Sequence, residues 1–469
     1  MSFNSIHFLI FLAVVLLVGG FLKDSRQRLF YLLASFYFYM AWNYYFILLI
    51  LFSIIIDYYA ALSISRLDLE DKKRKFYLLL SLVANLGFLA YFKYTNFLLG
   101  VVNDVNVLSS YRFVEYKIIL PVGISFYTFQ SMSYTIDVFR GTTQARTSFV
   151  DFALYVSFFP QLVAGPIVRA ETFFRDLKDR LAVDYEVIRY SFSKILLGFT
   201  KKVVFADNLA IAVDFTFKNY QYMNAIEIWT GVFAFMWQIY FDFAGYTDIA
   251  IGVARLLGFK FDVNFYFPFN VTSISEHWSR WHISFTTWIR DYIYIPLGGS
   301  RVSRWKIHRN IFITFIFGGL WHGAAYHFLA WGVWHSLMLS VEREYAATKL
   351  RNFLVEKGGK VYLILCYLFT MFCLGLGLPL FRAETLQAAG DMLQKMLLLH
   401  PDSFSKSFIN IKYFRLLILL TITGFIFERY KLKQMLQSRR AFTLFILVNA
   451  FLLLAYGVRE GKNFIYFAF

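Results

Sequence analysis

Two histidines in strongly apolar surroundings are the residues of this sequence best suited to chemistry. His322 lies in the run GGLWHG, residues 318–323, near the centre of residues 311–341, which contain no Lys, Arg, Asp or Glu. At about 1.5 Å per residue this run exceeds the ~30 Å hydrocarbon layer, so it should tilt, or break at the glycine pair close to the histidine. An ionisable ring at membrane depth is costly, so it is a functional candidate by default. Burial disfavours the imidazolium, and a neutral imidazole can act as a general base. A structural histidine bonded to a backbone carbonyl is the alternative.

His282 stands in an aromatic segment, SEHWSRWHISFTTWIR, residues 275–290. The large aromatic side chains recur at helical spacing, so one face of a helix would carry His282 with them. They are Trp278, Trp281, Phe285 and Trp288. Glu276 and Arg280 are four residues apart, which predicts an ion pair on another face. The alternative for His282 is a structural place within the aromatic stripe.

Polar side chains also interrupt other apolar segments, at Asp242, Asp248 and Gln130. A carboxylate inside the membrane costs about 2.5–3.5 kcal/mol on insertion scales, so each aspartate needs a partner. We expect structural pairing with a nearby Arg or hydroxyl, and lining of a tunnel is the alternative. Trp321, next to His322, is a further tunnel or structural candidate.

A turn and a basic stretch follow the His282 segment. Residues 292–297 are mostly apolar, and Gly298 and Gly299 form the turn. Four basic residues come next: Arg301, Arg304, Lys306 and Arg309. This order suits a short element that dips into the membrane and returns to a phosphate-rich cytoplasmic ligand. A positive-inside loop at lipid headgroups is the alternative, and Lys201 and Lys202 are rival phosphate ligands.

Composition indicates an all-α, polytopic integral membrane protein. Of the 469 residues, 59% are hydrophobic and 21% aromatic, and the mean hydropathy is +0.54. The net charge of +17 fits Lys and Arg collected in cytoplasmic loops, so we do not expect nucleic-acid binding. Cys366 and Cys373 lie in one apolar segment, which predicts packing residues with no disulfide framework and no metal site.

Apolar segments predict 10 to 12 membrane spans. They cover about 7–22, 29–46, 47–65, 76–92, 116–138, 149–167, 192–214, 227–256, 283–297, 311–341, 361–381, 414–428 and 441–457. Basic loops at 72–75 and 429–440 read as cytoplasmic. Basic loops lie on both sides of 311–341, which predicts broken or re-entrant helices in the middle of the chain. The charged segment 169–190, with Phe173, Phe174, Leu177 and Leu181 at helical spacing, predicts an interfacial helix.

The longest polar connection, roughly 382–413, is too short for a folded domain outside the membrane. A large hydrophilic acceptor must therefore be brought by another protein. We expect a single membrane domain over residues 1–469, with N-terminal helices to 110, a core over 115–340 and C-terminal helices from 341.

Several motifs together resemble one known family. They are WSRWHISFTTWIRDYIYIPLGGSR (278–301), FGGLWHGAAYHFLAWGVWH (317–335), LPVGISFYTFQ (120–130), FPQLVAGPI (159–167) and YFDFAGYTD (240–248). This set closely resembles the membrane-bound O-acyltransferase superfamily, in particular the bacterial branch of alginate O-acetyltransferases and related peptidoglycan and D-alanyl transferases. The resemblance spans about 115–340, and more loosely Phe381-Arg382-Ala383. Before that triplet the sequence has Gly377-Leu378-Pro379-Leu380 where the family leads us to expect a Trp.

The resemblance implies that His322 is catalytic and that His282 is the second site residue. It implies a central tunnel through which acetyl passes from cytoplasmic acetyl-CoA to a hydroxyl on the far side of a bacterial inner membrane. No cofactor would be bound permanently. The acceptor would be a Ser-bearing extracytoplasmic partner protein that then acetylates a polysaccharide. A thioester is already activated, so the enzyme must deprotonate a hydroxyl and stabilise the oxyanion.

Three alternatives stay open at this point. The first is a D-alanyl or other acyl transferase of the same fold. The second is a proton-coupled transporter that uses Asp242, Asp248, His282 and His322 as a relay. The third is a non-catalytic scaffold subunit, which would tolerate loss of His322.

Overall fold

A computed structural model describes residues 1–105, 112–114, 116–163, 165–400, 403, 416, 419–421, 423, 438–458, 464 and 465. Every regular element in this part of the chain is helical, which confirms the all-α prediction. The chain divides into two compact units, one of residues 1–195 and 246–262 and the other of residues 196–245 and 263–469. Whether these units form one functional membrane domain stays a prediction.

The first unit contains ten helices or parts of helices among the described residues. They are α1 (Ile6–Phe21), α2 (Asp24–Met40), α3 (Ile47–Ser65), α4 (Lys72–Leu89), α5 (Thr95–Val105), α6 (Ile124–Arg140), α7 (Phe149–Ser157), α8 (Phe159–Leu162), α9 (Ala170–Lys178) and most of α10 (Tyr185–Phe199). A π-helical stretch, Ala90–Tyr94, joins α4 to α5. The C-terminal part of α12 (Ala225–Leu256) adds an eleventh element to these ten and completes the unit.

The second unit holds the rest of the described helices. They are α11 (Asp207–Asn219), the N-terminal part of α12 (Ala225–Leu256), α13 (Ile274–Arg280), α14 (Ile283–Ile289), α15 (Arg304–His322), α16 (Tyr326–Ala346), α17 (Lys349–Arg382), α18 (Leu386–Met396) and α19 (Arg439–Tyr456). Two π-helical stretches, Thr200–Ala206 and Arg290–Tyr294, interrupt its helices. Both lie within segments that the sequence predicts as continuous apolar spans, 192–214 and 283–297.

Four helical stretches within the described ranges are long and apolar enough to cross a membrane: Tyr44–Ser65, Lys72–Val105, Lys349–Arg382 and Arg439–Tyr456. α17 is kinked at Gly359, which has φ 49°. The expected 10 to 12 spans stay a prediction, because most central segments are broken into shorter helices. Most of the segment 414–428, and Arg429, Lys431 and Lys433 of the predicted basic loop, lie outside the described residues.

The amphipathic segment 169–190, predicted as an interfacial helix, contains α9. Phe173, Phe174 and Leu177 on α9 are buried, and the Phe173 ring stacks on Phe259 with 4.8 Å between centroids. These side chains therefore contact protein in the first unit, and the interfacial position of this helix stays a prediction. The apolar residues do recur at helical spacing, but this periodicity does not tell whether lipid or protein covers the apolar face of a helix.

Candidate active site

A break between two helices places His322. α15 continues through Gly318 and Gly319 and ends at His322, and α16 begins at Tyr326. A Cβ on Gly319 would lie 2.3 Å from the Phe328 carbonyl oxygen, so the glycine allows α15 and α16 to approach closely. The predicted break near the histidine is confirmed, but it follows the histidine and does not fall at the glycine pair.

His322 is buried among aromatic rings of the second unit. Its ring centroid lies 5.0 Å from Phe381 and 5.1 Å from Trp331, both in edge-to-face arrangements, and its exposed fraction is 2%. The aromatic rings leave the imidazole little contact with solvent. We therefore expect this position to suit an imidazole base.

His322 lines a cavity of about 50 Å³. Two further histidines line it, His277 and His335, which the sequence interpretation did not single out. The other lining residues are Met236, Ile239, Phe269, Trp278, Trp281, Trp331, Leu374, Leu378 and Phe381. The only sequence signal for the two extra histidines is that His335 ends one motif and His277 precedes another. The lining is mostly apolar and aromatic and includes three histidines, which suits acid–base chemistry on a small neutral substrate.

The aromatic segment around His282 forms two short helices and not the single helix that the spacing predicts. α13 ends at Arg280, α14 begins at Ile283, and His282 between them has φ 42°. A non-glycine residue in this left-handed region is strained by about 1–3 kcal/mol and persists where the surroundings over-determine it. The predicted Glu276–Arg280 ion pair is confirmed, with 2.7 Å between Arg280 Nη2 and Glu276 Oε1.

Asn264 fixes the orientation of His282. The Asn264 side-chain oxygen accepts from the Ser284 backbone N–H at 3.1 Å, and it lies 3.3 Å from His282 Nδ1. Since that oxygen can only accept, His282 Nδ1 carries the proton and donates it, and Nε2 has the lone pair. The Asn264 carbonyl also accepts the Ile283 N–H at 2.9 Å. Sequence reasoning missed Asn264, because nothing in its spacing relates it to a residue 18 positions away.

We expect Asn264→Ala to lower kcat roughly tenfold to a hundredfold, as loss of an orienting hydrogen bond to a functional histidine commonly does. The imidazole would lose its fixed tautomer while its packing remained. Steady-state acyl transfer by the purified variant checks this. Asn264→Asp, which keeps an accepting oxygen, should retain more activity than the alanine variant, and wild-type kcat in a folded Asn264→Ala would contradict the assignment.

The structure brings the two predicted site histidines to one pair of stacked rings. Phe285 stacks on Trp321 with 4.1 Å between centroids. His282 lies 5.1 Å from Phe285 and 5.8 Å from Trp321, and His322 lies 5.9 Å from Phe285. Residues 40 positions apart in sequence therefore share one aromatic cluster. Trp321, predicted as a tunnel or structural residue, is a buried wall of that cluster.

The two aspartates are paired, as expected, but their partners are lysines where we expected an Arg or a hydroxyl. Asp242 Oδ1 lies 2.7 Å from Lys202 Nζ, which also contacts Asp207 at 2.9 Å. Asp248, in the first unit, lies 2.6 Å from Lys194 Nζ. Neither aspartate lines the cavity at His322. A long lysine side chain can reach an aspartate on a different helical element, and spacing along the sequence does not reveal such a pair.

Gln130, the remaining tunnel or structural candidate, belongs to the first unit. It is buried on α6 and donates to the Tyr155 carbonyl oxygen at 2.7 Å. A side-chain amide that satisfies a buried carbonyl in this way has a structural role.

The basic stretch after α14 is exposed. Arg301, Arg304, Lys306 and Arg309 are all on the surface. Arg304 is paired with Glu344, and Arg309 donates to the Leu297 carbonyl. Lys202 is buried and engaged by two carboxylates, so it is a poor phosphate ligand.

A model of the membrane-bound O-acyltransferase family matches residues 29–381. The chain is 39% identical over 401 residues to the probable alginate O-acetylase AlgI of Pseudomonas aeruginosa, covering 84% of this chain and 75% of that protein. It is 35% identical over 416 residues to the peptidoglycan O-acetyltransferase of Helicobacter pylori, covering 82% and 77%. The teichoic acid D-alanyltransferase of Bacillus subtilis is 28% identical over 242 residues, or 48% of this chain and 59% of that protein.

Proposed function

The chain belongs to the membrane-bound O-acyltransferase family, and from that membership we propose that it moves acetyl from cytoplasmic acetyl-CoA to an extracytoplasmic acceptor hydroxyl. As a member it is a membrane O-acyltransferase, and its O-acetylase relatives support acetyl as the group transferred. The observation that carries the proposal is His322, held at a helix break against a small cavity. We place the protein in the inner membrane of a bacterium, in exopolysaccharide or cell-wall glycan O-acetylation.

The size of the cavity supports a short acyl group. A water molecule needs roughly 10–15 Å³ of such space, so a cavity of about 50 Å³ has room for only a few heavy atoms. Phe381, Leu374 and Leu378 are among the apolar residues that line it. This volume supports an acetyl group over a long acyl chain as the group transferred.

In the proposed reaction His322 removes the proton of the acceptor hydroxyl as its oxygen attacks the thioester carbonyl. The C–O bond forms, a tetrahedral oxyanion appears, and the C–S bond then breaks. The departing thiolate takes up the proton that His322 holds, which leaves the imidazole neutral again. The base therefore returns to its starting state within each turnover.

His282 acts by orientation in this scheme. With its Nδ1–H bonded to Asn264, neutral His282 has an accepting Nε2 and cannot donate to an oxyanion. The other tautomer, with its proton on Nε2, would bring the Nδ1 lone pair against the Asn264 oxygen, which is repulsive. His282 does not line the cavity at His322, so we assign it a positioning role, in which its Nε2 would accept a hydrogen bond that orients a neighbouring site group.

The transporter alternative has little support in the site. Its relay would need carboxylates near the histidines that can exchange protons. Asp242 is engaged by Lys202, and Asp248 is engaged by Lys194. The family membership favours acyl transfer over a proton relay.

Labelled acetyl-CoA tests the proposal. The enzyme is reconstituted in liposomes in a known orientation, and the labelled donor is added only on the side of its cytoplasmic face. It should pass label to a Ser-bearing partner protein and, when that partner is present, to the polysaccharide. Label taken only from a D-alanyl carrier protein would favour the D-alanyl transferase alternative. The absence of any label transfer under conditions in which the enzyme is folded would refute the proposal.

We expect little acetylation of the polysaccharide when the enzyme and acetyl-CoA are supplied alone. α18 lies within the polar connection predicted at 382–413. The described part of that connection contains no glycan-binding domain. Its residues 401, 402 and 404–413 lie outside the described residues. The partner must therefore hold the polymer. Acetylated glycan measured by mass spectrometry with and without the partner checks this, and robust acetylation without any other protein would make the chain a complete glycan acetyltransferase.

The basic stretch is proposed to attract the phosphates of acetyl-CoA. Changing Arg301, Arg304, Lys306 and Arg309 together to Ala should raise the KM for acetyl-CoA more than it lowers kcat, because uniform donor binding is lost. Initial rates over a donor series measure this.

A second set of exposed lysines provides the control. Lys72, Lys73 and Lys75 lie at the start of α4, and their neutralisation should leave the KM for acetyl-CoA unchanged. If both sets shift the KM equally, or neither does, the basic stretch contacts lipid headgroups and not the donor.

A further inference from the structure

Two residues close to the C-terminal end of the described chain pack against the wall that holds His282. Phe464 is buried, and its ring lies 5.5 Å from Phe243 on α12. Phe243 is fully buried and stands edge-on to the His282 ring, with 4.6 Å between centroids and 87° between planes. One aromatic ring therefore separates Phe464 from His282.

The backbone of the next residue is fixed to the same turn of α12. The Ile465 N–H donates to Asp242 Oδ2 at 2.7 Å, while Asp242 Oδ1 contacts Lys202. Asp242 directly precedes Phe243 in sequence. A buried carboxylate makes strong charge-assisted hydrogen bonds, so this contact locates the segment more firmly than packing alone would.

The end of α19 and the residues just after it contact the π-helical stretch Thr200–Ala206 and the start of α11. The Asn208 side-chain amide donates to the Tyr456 carbonyl oxygen at 3.0 Å, and the Val458 N–H donates to the Val203 carbonyl oxygen at 3.2 Å. Lys202, the partner of Asp242, lies on the same stretch. Hydrogen bonds of Val458 and Ile465 thus reach both the π-helical stretch that carries Lys202 and the turn of α12 that carries Asp242.

His282 needs such support because its backbone is strained. Its φ of 42° is stable only where surrounding contacts fix it. Asn264 holds one edge of the imidazole and Phe285 packs on it, while Phe243 meets it edge-on. A shift of Phe243 would remove one of these three contacts.

We propose that Phe464 and Ile465, together the C-terminal clasp, are positioning residues that hold Asp242 and Phe243 so that His282 keeps its catalytic orientation. The clasp touches none of the reacting groups, and this role rests on the proposed acyl transfer. It predicts a loss in kcat without loss of donor affinity, since the cavity and the basic stretch are unchanged.

Two changes in the full-length, reconstituted enzyme test the clasp. Phe464→Ala removes the ring that backs Phe243, and Ile465→Pro removes the N–H that Asp242 accepts. Each should lower kcat roughly ten- to hundredfold with an unchanged KM for acetyl-CoA, the size expected of a small misplacement of a site group. Phe464→Leu and Ile465→Val, which keep an apolar side chain and the N–H respectively, should recover most of the activity.

Phe451→Ala is the matched control, because it makes the same chemical change at an exposed position of α19. It should leave both kinetic constants unchanged. Thermal unfolding of each variant confirms that equal amounts of folded enzyme are compared. If Phe464→Ala does not fold, the pair Ile465→Pro and Ile465→Val carries the test.

A second readout does not depend on acyl transfer. His282 is 1% exposed, so modification by diethyl pyrocarbonate, measured residue by residue with mass spectrometry, should be slow in the wild type. Loss of the clasp should speed modification of His282 severalfold and leave exposed His7 unchanged. This readout stands even if the proposed acyl transfer fails. Folded clasp variants with wild-type kcat and unchanged protection of His282, or with a raised KM alone, would overturn the proposal.

Discussion

Replacing His322 by Ala is expected to abolish acyl transfer while the protein remains folded. The change removes the only group to which the proposed reaction assigns proton removal, and general-base catalysis alone is worth about 10²–10⁴-fold in rate. The lost ring contacts with Trp331 and Phe381 cost some packing, but the helix break at Gly323 does not depend on the imidazole. Transfer of labelled acetyl by the purified variant, normalised to folded protein, is the measurement.

Two further variants sharpen this result. His322→Gln keeps a polar side chain of similar size that cannot act as a base, so it should be as inactive as the alanine variant. His7→Ala changes an exposed histidine on α1 and should have wild-type turnover. A His322→Ala protein that still supports glycan acetylation would favour the scaffold alternative, and substantial turnover by the variant would remove His322 as the base.

The sequence predicted the features of the site that follow from local pattern. The long charge-free run placed His322 next to a helix break, and the i,i+4 spacing of Glu276 and Arg280 gave their ion pair. Apolar stretches at 47–65, 227–256 and 441–457 correspond closely to α3, α12 and α19. Each of these features depends on residues within a few turns of one another, which is the range over which periodicity and spacing carry information.

The features that the sequence did not predict depend on contacts between distant segments. The break at His282 is one example. The aromatic residues keep their helical spacing across it, whereas the break is held by hydrogen bonds that Asn264 accepts from the His282 ring and from the backbone of Ile283 and Ser284. The lysine partners of the aspartates are another. Lys202, the partner of Asp242, is buried on a π-helical stretch, and single-sequence periodicity does not reveal π-helices. The identity of the site thus depended on recognising family motifs, and its geometry required the fold.

The buried charge cluster on that π-helical stretch gives the prediction with the largest effect on stability. Lys202 Nζ lies between Asp242 and Asp207, and the three side chains are only 7%, 3% and 2% exposed. Lys202→Met would leave two buried carboxylates without their cation. Removing one partner of a buried pair typically costs about 3–5 kcal/mol, so the melting temperature in detergent should fall sharply.

Lys201→Met is the control, because it makes the same change at the adjacent, half-buried position near the Tyr240 ring. We expect a smaller loss there, since a cation–π contact is worth about 0.5–2 kcal/mol. Adding Asp242→Asn and Asp207→Asn to Lys202→Met should restore much of the stability, because neutral amides no longer need a cation. If the triple variant melts no higher than Lys202→Met, or if the two lysine variants lose equal stability, the cluster is not held by charge. Lys202 would then return to the candidates for phosphate binding.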